Sequence, residues 1–309
     1  MQSKMTTLGK VFDTVDQMSV NHHDKFINVR DISFDSLETV KIAGESHNLK
    51  SVAQQSICTR LGIPITYMRK CPDHVQAYNM NHWIEKEKNN ELFFRFDKSD
   101  VRAIFTPRYR PLDHFEILTQ LDSLGFTPET EVQVSLDQEF MQISIPDSGK
   151  TFSLNGDKIT PGVSIVNSEV GISSLSLSAF YVRLVCTNGL VSKEQIGASF
   201  RHISLKILTE FPNVLNRLSS ELERQRSKFR ISLESRVDSP LSTLDNFNRQ
   251  FLLSQEEKEA VSWAWPMEHG ETMFNIVNTY TRASQFDKLP AQSSYKLQTV
   301  GGSILSLVK

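Results

Sequence analysis

The stretch Leu92–Thr106, LFFRFDKSDVRAIFT, decides how the chain folds. Its large side chains occur in two runs on either side of a polar turn at Lys98, which predicts two strands joined as a β-hairpin. Successive side chains of a strand point to opposite faces, so Arg95 points to one face while Phe94 and Phe96 point to the other. The pattern therefore predicts a hairpin with one polar and one apolar face.

More antiparallel structure is predicted downstream of this hairpin. The segment RPLDHFEILTQLDSLG has a helical period, with an apolar face made of Phe115, Leu118 and Leu121. A second hairpin follows, with its turn at Asp137, and two more strands are predicted near 163–170 and 175–185. The middle third of the chain is therefore predicted to be an antiparallel sheet.

Helical patterns flank the predicted sheet on both sides. Before it, two helices meet at a corner near Gly62, as in an ordinary packed helix pair or a DNA-reading helix-turn-helix. After it, apolar spacing predicts a long helix over 211–233 and further helices near 254–265, 271–284 and 292–308. We predict an α+β protein with a helical N-terminal segment at 1–90, an antiparallel sheet core at 91–200 and a helical C-terminal region at 201–309, either as separate domains or as one continuous domain.

Composition restricts the functions that the chain can have. The net charge is −2, from 34 basic and 36 acidic side chains, so any affinity for nucleic acid requires a local basic patch. Three cysteines without a CxxC pair favour a reducing compartment, and no histidine spacing is typical of a zinc site. Without a long apolar run in the sequence, we expect a soluble cytoplasmic protein with no membrane segment, metal or cofactor.

Arginines and aromatic residues alternate along the first hairpin and just beyond it. Proteins that bind single-stranded nucleic acid combine such groups, since guanidinium groups contact phosphates and rings stack on bases. The predicted contacts are Arg95, Arg102, Arg108, Tyr109 and Arg110, with Arg224 and Lys228 on the long helix. The alternative is an amphipathic hairpin whose arginines pair with Asp97, Asp100 and Asp113.

Two short stretches, NSEVG and VRLVCTNGL, carry further polar residues. In NSEVG, Asn167 and Glu169 share a strand face, but one carboxylate is insufficient for glycoside hydrolysis or two-metal phosphoryl transfer. We expect Glu169 to pair with Arg183. In VRLVCTNGL, Cys186 has core-like neighbours and Asn188 begins an Asn-Gly turn; a catalytic pair of Cys186 with His202 is the alternative.

Several blocks of the sequence together carry a family resemblance. They are RLGIPITYMRK, VRAIFTPRYRPLD, IVNSEVGISSLSL, YVRLVCTNGL, the pair Arg201-His202, NIVNTYTRAS and YKLQTVGGSIL. In this order, they resemble the phage/plasmid-like family built on a domain of unknown function. The resemblance implies a protein of a mobile element with no established enzyme activity. The family's blocks fall on Arg108, Tyr109, Asp113, Asn167, Glu169, Gly171, Arg183, Cys186, Asn188, Gly189, Asn278 and Thr281.

The leading hypothesis is a non-enzymatic protein of a mobile element that binds single-stranded DNA. Such a protein would act in recombination, replication or DNA protection, as a homo-oligomer similar in architecture to annealing recombinases. The second hypothesis is an interaction protein that inhibits or scaffolds a host defence or replication protein. The third is a hydrolase or nuclease that uses Asn167, Glu169, Arg183 and His202. The residues with a structural or possible site role are Asn167, Glu169, Arg183, Asn188, His202, Asn278 and Thr281.

Overall fold

The computed structural model of the protein describes residues 4–154, 156–183, 188–191 and 226–308, with the backbone alone at 188–191. The chain divides into two compact units. The hairpin unit comprises Thr14–Leu112 and Glu169–Ile172, and the sheet unit comprises Met1–Asp13, Asp113–Ser168 and Ser173–Lys309. Among the described helices, none is both long enough and apolar enough to cross a lipid bilayer.

Strands and helices are mixed along the described residues, which confirms the predicted α+β fold. The strands are β1 (Lys4–Thr7), β2 (His22–Asn28), β3 (Ile32–Phe34), β4 (Thr39–Ile42), β5 (Glu45–Asn48), β6 (Glu91–Asp97), β7 (Asp100–Phe105), β8 (Glu131–Leu136), β9 (Met141–Pro146), β10 (Phe152–Leu154), β11 (Asp157–Asn167), β12 (Ser176–Arg183) and β13 (Asn188–Val191). The helices are α1 (Leu8–Ser19), α2 (Ser51–Leu61), α3 (Ile65–Met68), α4 (Asp73–Ile84), α5 (His114–Ser123), α6 (Pro240–Gln250), α7 (Gln255–Glu268), α8 (Met273–Ala283) and α9 (Ala291–Leu307). Residues 226–234 are also helical.

The hairpin unit is built around one hydrophobic core. β2, β6 and β7 form one antiparallel sheet in that order, and β3, β4 and β5 form another. Phe94 and Phe96 of β6 belong to the core together with Ile57 of α2 and Met80 of α4. α2 ends where Gly62 takes a left-handed conformation, with φ at 70°, which glycine adopts without the steric penalty of a Cβ atom. The predicted apolar face of the hairpin is therefore buried.

The sheet unit contains a larger antiparallel sheet in the order β1, β8, β9, β11, β12 and β13, with β10 paired to β11. Cross-strand neighbours form one apolar row, Val134, Ile143, Ile165 and Leu177, and one polar row, Gln133, Ser144, Ser164 and Ser178. All eight side chains are buried. The polar face of the sheet contacts α9, because Gln142 Nε2 of β9 donates to Gln298 Oε1 of α9 at 2.7 Å. Both faces of this sheet are therefore covered.

Most predicted elements of the middle and C-terminal regions are confirmed. The two hairpins are β6–β7 and β8–β9, and the last three predicted helices correspond to α7, α8 and α9. α5 forms as predicted, but Phe115 is 46% exposed, and Ile117 is buried beside Leu118 and Leu121. The long helix predicted at 211–233 is described only from residue 226, and its other residues lie outside the described part of the chain.

The N-terminal segment differs from the helical prediction. Residues 22–48 contain β2 to β5, although α2 and α4 confirm the helices predicted after them. The corner at Gly62 is present, but α3, the helix that follows it, is only four residues long. A single turn does not provide the recognition helix that a helix-turn-helix places in the major groove, so this structure does not support that interpretation.

Candidate functional site

Arg95 and Arg102 of the predicted nucleic-acid contacts lie inside the hairpin unit. Arg102 Nη2 contacts Glu169 Oε2 at 2.9 Å, and both side chains are less than 5% exposed. Arg95 Nε contacts Asp24 Oδ1 at 3.0 Å, and Arg95 Nη1 donates to the Glu169 backbone oxygen at 2.9 Å. The polar face of the hairpin is thus covered. This burial corrects the prediction that these two arginines contact phosphate.

The Glu169–Ile172 segment forms this cover, and Tyr109 helps to hold it. The Tyr109 hydroxyl donates to the Glu169 backbone oxygen at 3.3 Å. The Tyr109 ring stacks on Phe105, with 3.8 Å between ring centroids and 3° between planes. Gly171 has φ at 81°, and a Cβ there would lie 2.8 Å from the Phe105 ring. Tyr109 is half-buried and Phe105 occupies one face of its ring, so at most one face remains for the predicted stacking on a base.

His22 completes the buried charge cluster of the hairpin unit. Arg102 Nη1 donates to His22 Nδ1 at 2.9 Å, and Glu169 Oε2 lies 3.7 Å from the same nitrogen. The Nε2 atom of His22 is buried and has no hydrogen-bond partner within the described ranges. Burial, followed by the charge of Arg102, lowers the pKa of His22 below its usual 6.5, although Glu169 and Asp97 act in the opposite direction. The neutral imidazole is therefore the form that fits this cluster.

The lowered pKa of His22 predicts that acid destabilises the protein. Below pH 6.5 the unfolded chain protonates this imidazole more readily than the folded chain, so the free energy of unfolding falls as pH drops from 7.5 to 5.5, by at most about 1.4 kcal/mol per pH unit from this group. His22→Asn keeps an acceptor for Arg102 without the titration. Urea unfolding at the two pH values should show a smaller pH dependence in His22→Asn than in the wild type or in the exposed control His74→Asn. An unchanged pH dependence in His22→Asn would contradict this assignment.

The predicted pairing of Glu169 with Arg183 is wrong. Arg183 lies in the sheet unit, where its Nε contacts Asp157 Oδ2 at 2.9 Å and its Nη1 contacts Glu268 Oε2 at 2.8 Å. Burial alone would lower the pKa of Arg183, but the hydrogen bonds and charges of Asp157 and Glu268 raise it above its usual value. Arg282 adds a longer contact to Glu268, at 3.4 Å. Two acids of the sheet unit therefore neutralise Arg183.

Three residues of the predicted site set line one small cavity in the sheet unit. Arg183, Asn278 and Thr281 surround it, together with apolar and aromatic side chains. The cavity has a volume of about 10 Å³, near the minimum that one water molecule needs. Asn278 Nδ2 is buried beside it and has no hydrogen-bond partner within the described ranges. The cavity is too small for a substrate, so we assign Arg183, Asn278 and Thr281 a structural role.

Among the described residues of the predicted hydrolase, Asn167, Glu169 and Arg183 contact different partners. Asn167 lies within 3.1 Å of His114 in the sheet unit, while Glu169 contacts Arg102 in the hairpin unit. Arg183 contacts the two acids named above. His202 lies outside the described residues, as do Cys186 and Arg224. For Asn188 the backbone alone is described, paired with Arg183 between β13 and β12.

The remaining predicted contacts differ in their access to solvent. Arg108 and Arg110 are exposed on the hairpin unit, and Lys228 is half-buried in the sheet unit. Arg108 and Arg110 therefore stay available for contact with an anion. Their positions follow β7 in the chain, just beyond the buried hairpin.

A mostly exposed group of side chains on α4 and the turn that follows it was not predicted from the sequence. This α4 patch consists of Tyr78, His82, Trp83 and Lys86, and Tyr78 and Trp83 are 71% and 44% exposed. Tyr78 and His82 stack with 6.1 Å between ring centroids, and Lys86 Nζ lies 4.7 Å from the Trp83 ring centroid and donates to His82 Nε2 at 2.8 Å. The spacing of 78 and 82 places Tyr78 and His82 on one helix face, and Lys86 follows in the turn after α4, a signal that YNMNHWIEK contains.

Comparison with known proteins identifies the class of the chain. A family model described as a domain of unknown function, DUF932, matches residues 102–281, which is more than half of the chain. The chain belongs to this family. A search of curated proteins finds no match, and neither does a search of solved structures. The match spans residues of both units and includes Arg102, Glu169, Arg183 and Asn278.

Proposed function

We propose that this chain is a non-enzymatic protein that binds single-stranded DNA through the α4 patch of its hairpin unit. The observation that supports this proposal is the display of two exposed aromatic rings beside a lysine. Rings of this kind stack on unpaired bases, and base–aromatic stacking contributes about 1–3 kcal/mol per base. The function is the one predicted from the sequence, but the proposed contact surface is the α4 patch instead of the buried arginines of the hairpin.

Charges near the α4 patch support contact with a phosphate backbone. Arg69, Lys70 and Lys88 are exposed close to the patch in sequence, together with Lys86 of the patch itself. Asp73 and Glu85 are the exposed acids of α4 and its end. Over 69–91 the four exposed basic residues outnumber the three exposed acids, which also include Glu91, and such a local excess is what a chain with a net charge of −2 requires in order to attract an anionic strand.

The proposal favours single strands over duplexes. In a duplex the base faces are covered by neighbouring base pairs, whereas an unpaired base offers its face to Tyr78 or Trp83. The exposed Arg108 and Arg110 are secondary candidates for phosphate contact. We further propose that the protein acts for a mobile element in the cytoplasm, as a homo-oligomer on DNA during recombination, replication or DNA protection.

Fluorescence anisotropy tests this function with a labelled single strand of about 30 nucleotides and the matching duplex. With two to four phosphate contacts, the association constant for the single strand should fall by about 7-fold to 50-fold between 50 and 200 mM salt. The single strand should bind at least about tenfold more tightly than the duplex. No binding of the single strand at about 50 mM salt, where phosphate contacts are strongest, would overturn the proposal.

A protein partner is the second candidate for the α4 patch. Tyr and Trp are enriched at the centres of protein interfaces, so the same exposed rings fit a host defence or replication protein. The anisotropy experiment separates the two candidates. Absent DNA binding combined with purification of a stoichiometric host protein, lost in Trp83→Ala, would favour the interaction protein.

A further inference from the structure

A groove in the sheet unit is separate from every residue set discussed above. It has a volume of about 550 Å³ and runs along α9, from Gln292 to Ser303. Phe140, Tyr295 and Val300 contribute apolar surface, and Phe251 and Glu257 contribute from the end of α6 and the start of α7. Small-molecule sites have volumes of about 300–1,000 Å³, so the groove has the size of a ligand site.

The charged side chains of the groove cancel each other. Lys296 Nζ donates to Glu257 Oε2 at 2.6 Å and to the Leu252 backbone oxygen at 3.1 Å. The Glu257 carboxylate also accepts the Ser254 backbone N–H at 2.8 Å, which closes the capping box of α7. Lys296 and Glu257 are thus hydrogen-bonded to each other and to backbone atoms. Among the described residues that line the groove, no uncompensated positive charge therefore faces a phosphate.

Two hydroxyl groups on α9 supply the groove with hydrogen-bond acceptors. Thr299 Oγ1 donates to the Tyr295 backbone oxygen at 3.0 Å, and Ser303 Oγ donates to the Thr299 backbone oxygen at 2.9 Å. A hydroxyl has one hydrogen and two lone pairs, so these two hydroxyls retain lone pairs that can accept. A ligand that leaves these two helix hydrogen bonds in place therefore meets Thr299 and Ser303 as acceptors.

Aromatic surface in the groove favours a planar ring. Tyr295 and Phe251 are the partly exposed rings of the lining, and Phe140, 1% exposed, packs against Tyr295 with 5.6 Å between ring centroids and 38° between planes. Offset stacking on such rings stabilises flat aromatic ligands. Adenine combines a flat ring with an exocyclic amino donor, and ribose adds hydroxyl donors. We propose that this groove binds an uncharged nucleoside whose base carries an exocyclic amino group, such as adenosine.

Calorimetric titration of the full chain with adenosine, inosine and adenosine monophosphate tests this proposal independently of DNA binding. Inosine replaces the exocyclic amino donor with a carbonyl and carries its remaining base N–H on ring atom N1, so a groove that binds the exocyclic donor should bind adenosine at least about tenfold more tightly. The monophosphate should bind within about threefold of adenosine, since Lys296 is neutralised. No saturable binding at about 5 mM adenosine, equal binding of inosine, or a gain of about tenfold or more from the phosphate would overturn the proposal.

Variants locate the site on α9. Thr299→Val removes an acceptor with little change in shape, and Ser303→Ala does the same one turn later. Each should weaken adenosine binding by about tenfold. Thr243→Val is the matched control, since the Thr243 hydroxyl also donates to a backbone oxygen four residues earlier, at 3.0 Å, but Thr243 lies on α6 and does not line the groove. Wild-type affinity in both groove variants, with adenosine still bound, would place the nucleoside elsewhere and overturn the assignment.

Discussion

Arg102→Met is expected to lower the free energy of unfolding of the hairpin unit by about 3–5 kcal/mol. The substitution removes the guanidinium that contacts the buried Glu169 carboxylate at 2.9 Å, and loss of one partner of a buried ion pair is strongly destabilising. It also removes the donor to His22 Nδ1. Urea unfolding of the full chain measures the effect through Trp83, in a background where Trp263 and Trp265 are replaced by phenylalanine, because two units can unfold in separate transitions.

Two further variants separate charge from packing in this cluster. Arg102→Met combined with Glu169→Met removes both charges and should recover most of the lost stability. Lys41→Met is the matched control, because the exposed Lys41–Asp35 pair should contribute less than about 1 kcal/mol. A loss below about 1 kcal/mol in Arg102→Met would contradict the assignment of Arg102 and Glu169 as a buried ion pair.

Gly162→Ala is expected to destabilise the sheet unit by about 3 kcal/mol. Gly162 lies in β11 between Pro146 of β9 and Phe180 of β12, and a Cβ there would lie 2.1 Å from the Ile145 backbone oxygen. A backbone atom inside a sheet cannot rotate away, so β9 and β11 must separate locally and lose hydrogen bonds.

Thermal unfolding measures the effect of Gly162→Ala, with Gly149→Ala as the control. A Cβ at Gly149 would lie 3.3 Å from the Asp147 side-chain oxygen, which can move. We expect a fall in Tm of about 6–12 °C for Gly162→Ala and a change of less than about 3 °C for Gly149→Ala. Equal small shifts in both variants would show that the two strands tolerate a side chain at this position.

Local patterns were sufficient to predict the hairpins and most of the helices, but not the N-terminal strands. Apolar and polar residues do not alternate along β2, and Ile27 is its one buried residue. It pairs with β6, where Phe26 lies opposite Phe93, far away in the sequence. Such a strand is stabilised by its partner, and a short window of sequence contains no signal for it.

The same limit applies to the predicted site. Strand periodicity correctly separated Arg95 from Phe94 and Phe96, but it did not show what covers the polar face. The cover includes Glu169, which is 67 residues from Arg102 in the sequence. By contrast, the register of two neighbouring strands could have predicted the partner of Arg183. Arg183 lies opposite Ile159 on β11, so Asp157 is a diagonal neighbour on the same face.

Binding of a labelled single strand by patch variants tests the proposed function most directly. Tyr78→Ala/Trp83→Ala is compared at about 50 mM salt with Trp263→Ala, a matched control in the sheet unit with a similarly exposed tryptophan. We predict that the double variant loses at least about tenfold in affinity, since stacking contributes about 1–3 kcal/mol per base, while Trp263→Ala binds like the wild type. Wild-type affinity in the double variant, or an equal loss in Trp263→Ala, would contradict the assignment of the α4 patch as the DNA-binding surface.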